Sequence, residues 1–100
     1  MRISSGQQRR VREIVERHFG PRARVWLFGS RADDEKRGGD VDLYVETPRA
    51  PTESRVREEL AAGAALEALF DDGSVDLVIR YPGDAEKPIH RVALKTGLLL

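Results

Sequence analysis

Two short stretches decide the fold: Arg24-Val25-Trp26-Leu27-Phe28-Gly29-Ser30-Arg31-Ala32, and Asp40-Val41-Asp42-Leu43-Tyr44-Val45 after a polar interval. The first is a β-forming run that stops abruptly at Gly29-Ser30, where a helical turn is expected to open. The second alternates with period two, as a half-buried strand does. Val41, Leu43 and Val45 then face a core, while Asp40 and Asp42 share the opposite face. Side chains two apart on a strand have Cα atoms roughly 6.5–7 Å apart, so these carboxylates repel each other unless a cation sits between them.

Working outward, Ser4 or Ser5 caps a first helix whose apolar positions Val11, Ile14, Val15, His18 and Phe19 recur at helical spacing. Gly20-Pro21 ends it, because proline cannot continue a helix. The polar stretch Asp33–Gly39 reads as a loop. A second helix is expected from Thr52 or Ser54 to Phe70, burying Val56, Leu60, Ala64, Leu66, Leu69 and Phe70. Asp71-Asp72-Gly73 reads as a turn. Ser74–Arg80 is a third strand with Val75, Leu77 and Ile79 on one side and Asp76 on the other. A last helix begins near Pro88 and ends before Gly97. The pattern predicts one α/β (α+β) domain over residues 1–100, a small mixed β-sheet with helices packed on it.

Composition limits the function. The chain has 40% hydrophobic and 34% charged residues, which suits a globular fold with a charged surface. With no cysteine, it has no disulfide framework, thiolate zinc site or cysteine nucleophile. No apolar run approaches the ~18 residues of a membrane span, and the N-terminus lacks a signal-peptide core. A cytoplasmic location is expected. The formal net charge is zero but unevenly spread. Eight arginines against Glu13 and Glu16 leave residues 1–31 at +6, and nine bases against fifteen acids leave residues 32–100 at −6. A solvated helix face accounts for the basic first helix more simply than direct nucleic-acid binding, which is not expected.

Three aspartates on matching strand faces would suit magnesium, a hard cation that takes carboxylate oxygens together with waters and substrate phosphates. Charges on an edge strand have a plainer use, in blocking aggregation. Gly29-Ser30 shifts the balance. Glycine allows close backbone approach, turn N–H groups and the serine hydroxyl suit phosphate oxygens, and Arg31 would add charge. A phosphate cradle followed at short range by paired carboxylates brings a triphosphate and its metal together, as phosphoryl-group transfer requires. Tyr44 shares the aspartate face and would either pack there or stack on a base. Trp26 is expected in the core. Arg80, on the face of Asp76, would meet a phosphate or form a surface ion pair. His90 has no evident partner. Arg12 and His18 have the spacing of the HEPN ribonuclease motif, but three strand-like runs oppose that all-helical fold.

Phe28-Gly29-Ser30-Arg31-Ala32 followed by Asp40-Val41-Asp42-Leu43 resembles the Gly-Ser…Asp-x-Asp motif of the DNA polymerase beta nucleotidyltransferase superfamily, and within it the minimal nucleotidyltransferases (MNT proteins). The resemblance takes in the leading helix and the Val75-Asp76-Leu77-Val78 strand. The spacing departs slightly, with nine residues between Ser30 and Asp40 where many relatives have ten, and Gly39 where serine is common. The resemblance implies that Gly29 and Ser30, with Arg31, hold nucleotide phosphates. It implies that Asp40, Asp42 and Asp76 bind Mg²⁺ and carry catalysis. It also implies transfer of a nucleoside monophosphate, AMP from ATP, to a hydroxyl of a HEPN-type protein partner, as the antitoxin of a toxin–antitoxin pair. The alternative is a non-catalytic nucleotide-binding module that neutralises its partner by docking. Homo- or hetero-oligomers are compatible with so small a chain.

Overall fold

The computed structural model describes residues 2–33, 39–70 and 74–100. Most of the polar loop and the Asp71-Asp72-Gly73 turn lie outside the described residues. Helix α1 (Ser5–Phe19) leads into strand β1 (Arg24–Phe28) and a 3₁₀ turn (Gly29–Ala32). Strand β2 (Val41–Glu46), helix α2 (Arg55–Glu67), strand β3 (Val75–Arg80), helix α3 (Pro88–Thr96) and strand β4 (Leu98–Leu99) follow.

The ends of α1 explain its length. Ser4 Oγ accepts from the Gln7 N–H at 3.0 Å, and Gln7 Oε1 accepts from the Ser4 N–H at 2.9 Å. This reciprocal box satisfies two donors the first turn leaves open. Gly20 ends the helix at φ +102, a conformation that L side chains rarely adopt. The Thr47 hydroxyl donates to the Phe19 carbonyl at 2.6 Å and so ties the helix end to the end of β2.

The sheet order is β3-β2-β1-β4. β1 is antiparallel to β2 and β4, while β2 and β3 are parallel. A parallel pair needs a long crossover, which α2 supplies. One sheet face presents Val25, Leu27, Val41, Leu43, Val45 and Val75 to α1 and α2, which contribute Val11, Ile14, Val15, Phe19, Ala62 and Leu66. The other face carries a smaller cluster of Phe28 and Tyr44 with Ala93 of α3, flanked by Trp26 and Val78. Among the described residues, no helix is long and apolar enough to cross a membrane.

One expectation is corrected. On α2, Ala62 and Leu66 are buried, whereas Val56 and Leu60 are 64% and 70% exposed and Ala64 is exposed. This helix has apolar residues on more than one side, so its periodicity does not choose the buried stripe. The C-terminal leucines divide, with Leu98 and Leu99 40% and 59% exposed and Leu100 buried. Leu98 and Leu99 pair with Leu27 and Trp26, and Leu100 is buried with its N–H donating to Val25 O at 2.9 Å. Gly97 permits this return, since a Cβ there would collide with the Ala93 carbonyl.

Candidate active site

The parallel register puts Asp42 opposite Asp76, and the antiparallel register puts Asp42 opposite Phe28. One row across the sheet therefore reads Phe28, Asp42, Asp76, at the end of β1 and the start of β2 and β3. Asp40 immediately precedes β2 and accepts a hydrogen bond from Ser74 Oγ at 3.2 Å, while Val41 N–H donates to Ser74 O at 2.9 Å. Ser74 thus steadies Asp40 from the neighbouring strand. It escaped notice in the sequence, although aligning Val41 with Val75 places it opposite Asp40.

Burial raises the pKa of Asp42 above the ordinary carboxylate value. The charges of Asp76 and then Asp40 raise it further, and a side-chain hydrogen bond with Asp76 adds to the shift. The three aspartates therefore act on one another electrostatically. Among the described residues, no group of three or more aspartate, glutamate, histidine or cysteine side chains is placed to hold a metal ion. Carboxylate oxygens are the donors that a hard divalent cation takes together with water and phosphate. Asp76 and Asp40 add to a rise that burial leads, so a cation beside Asp42 would act against it.

Gly29 lies against Asp42. Its φ is +74, and a Cβ there would overlap Asp42 Oδ2. Only glycine meets both conditions. The 3₁₀ turn that it opens is held from behind: Arg2 Nη2 donates to Ser30 O at 3.2 Å and Arg2 N–H donates to Arg31 O at 2.8 Å. Ser30 is half-buried and Gly29 exposed.

Arg31, expected to add charge at the phosphates, is engaged by the chain itself. It is buried, its guanidinium donates to Arg2 O at 3.1 Å and Gly39 O at 3.0 Å, and it lies over the Phe70 ring. It ties Gly39, just before the first aspartate, to the N-terminal Arg2. Arg80 forms the surface ion pair, one of its two expected roles: it engages Glu86 at 3.5 Å, and Asp84 O at 3.3 Å, at the far end of β3 from Asp76. Tyr44 packs: it is fully buried, its hydroxyl donates to Glu46 at 2.8 Å, and its pKa is pushed up to about 12, chiefly by burial. His90 does have a partner, for its ring stacks on Tyr44 at 5.2 Å. Its Nδ1 accepts from the Lys87 N–H at 3.0 Å, which puts the proton of the neutral ring on Nε2. Trp26 is half-buried beside Tyr44, with ring centroids 5.5 Å apart. This aromatic layer under α3 fills the sheet face behind the aspartates.

No curated protein matches the chain. The family model described as a nucleotidyltransferase domain matches residues 8–97, which include α1, the Gly-Ser turn and all three aspartates. The chain belongs to the nucleotidyltransferase domain family.

Proposed function

We propose that the domain transfers AMP from ATP, with Mg²⁺, to a hydroxyl of a HEPN-type protein partner, as the antitoxin of a toxin–antitoxin pair. The observation that carries the chemical part is the Asp42–Asp76 register pair with Gly29 against Asp42. Asp40, Asp42 and Asp76 would hold the metal, and Gly29 and Ser30 would take triphosphate oxygens through backbone N–H groups and the serine hydroxyl. Bound magnesium would supply charge stabilisation to the attacking and leaving oxygens. The acceptor oxygen bonds to the α-phosphorus and pyrophosphate leaves. Asp76, exposed on an edge strand, is the carboxylate best placed to take the hydroxyl proton. The filled sheet face behind the aspartates supports an acceptor brought by another protein. The identity of that partner, and the choice of ATP, rest on the resemblance to minimal nucleotidyltransferases.

The test is incubation with the protein encoded beside it, ATP and Mg²⁺, followed by intact-mass measurement of that protein. Added AMP with wild type, and none with the Asp40→Ala/Asp42→Ala double variant, supports the proposal. Equal neutralisation by the double variant, with no mass added, replaces catalysis with docking.

A further inference from the structure

We propose that the exposed face of α2 is a self-complementary interface that pairs two copies of this chain across a two-fold axis. This inference is independent of the proposed chemistry. Val56 and Leu60 stand one helical turn apart on that face, 64% and 70% exposed, with Ala64 one turn further on. Beside them a groove of about 480 Å³ separates α2 from β3, lined by Leu60, Ala64, Val75 and Leu77 together with Glu59 and Glu67. β3 is an edge strand, so its outer side has no strand partner among the described residues. Large apolar side chains this exposed, rimmed by charged residues, on a domain this small call for a cover.

The charges on α2 identify that cover. Glu58 is held by His18 at 2.8 Å, Glu59 accepts from the Tyr81 hydroxyl at 2.9 Å, and Arg55 reaches Glu59 at 3.9 Å. Arg57 and Glu67 are the two charged residues of α2 that have no partner among the described residues. Both lie on the exposed face, five positions to either side of Ala62. When α2 packs antiparallel on its own copy, crossing at the level of Ala62, Arg57 meets Glu67 of the second chain. The symmetry makes that contact twice, and Leu60 lies opposite Ala64. Such a contact is isologous and therefore closes as a dimer. A parallel arrangement would set like charges together. A 13-residue helix is about 20 Å long, so the interface is small and the dimer depends on concentration.

The experiment is sedimentation equilibrium on the full chain over a range of concentrations, with circular dichroism to check folding. Wild type should reach twice the chain mass. Leu60→Glu, at an exposed site that leaves the core intact, should remain monomeric. Arg57→Glu and Glu67→Arg should each be monomeric alone, since each doubles a like-charge contact. Mixed one to one, they should form a heterodimer, because every contact across the axis is then opposite in charge. Wild type that stays monomeric throughout overturns the proposal, as do charge variants that dimerise as well as wild type. A monomeric wild type that binds its genomic neighbour through Leu60 also overturns it, and assigns this face to that protein.

Discussion

Gly29 and Asp42 occupy one another's space: the glycine has φ +74, and the Asp42 carboxylate lies where its Cβ would be. The turn suited to phosphate and the central aspartate are thus joined by contact between backbone and side chain. Any side chain at 29 must strain the turn, displace the carboxylate, or both. Gly29→Ala is therefore expected to cost about 1–3 kcal/mol in stability. It should also weaken Mg·ATP binding more than Ser30→Ala does, because it moves two site elements together. Chemical denaturation and calorimetry check the two effects.

Asp42→Asn keeps the shape and removes one charge. Mg²⁺-dependent ATP binding should be lost in this variant, as read by calorimetry with and without EDTA. The metal-free protein should become more stable, because its raised pKa means that Asp42 carries a penalty when ionised. Its folded pKa lies above the unfolded value of 3.8, so the folded state binds more protons between those two values. The penalty is full above the folded pKa and disappears as pH falls through it towards 3.8. The stability advantage of Asp42→Asn should accordingly shrink on acidification. An advantage that grows in acid would reverse the sign assigned to this carboxyl.

His90 behaves in the opposite sense. Burial lowers its pKa from 6.5, and the positive charges of Arg80 and Lys87 add to the effect. Neutral His90 is the form that stacks on Tyr44. The unfolded chain binds the extra proton, so this part of the stability is complete above pH 6.5 and is lost as pH falls through that value to the folded pKa. His90→Phe retains a ring against Tyr44 and cannot titrate. Its melting temperature, compared with wild type over the same pH range, should lack that share of the acid-side decline.

Leu60 and Leu66 test the orientation of α2. Leu66 is fully buried against the sheet and Leu60 is 70% exposed. Leu66→Ala should cost about 2–5 kcal/mol through lost burial and the cavity it leaves. Leu60→Ala should change the stability of the monomer by no more than about 0.5 kcal/mol. Denaturant midpoints at low protein concentration separate the two.

Local chemistry in the sequence determined much of this protein. Ser4 with Gln7, and Gly20 with Pro21, delimit α1 because caps and breakers act over a few residues. The alternation around Asp42 and Asp76 defines the strand faces because side-chain period is a property of one strand. The Gly-Ser…Asp-x-Asp spacing marked the family for the same reason, since its elements lie within fourteen residues, from 29 to 42. Tertiary structure alone decided what depends on partners distant in the chain. It set Ser74 beside Asp40 through strand register and tied the Arg31 guanidinium to the Arg2 and Gly39 carbonyls. It paired His90 with Tyr44 and returned Leu98–Leu100 to β1. It also chose Leu66 over Leu60 for the core, because an apolar residue on a two-sided helix is buried only where another element arrives to cover it.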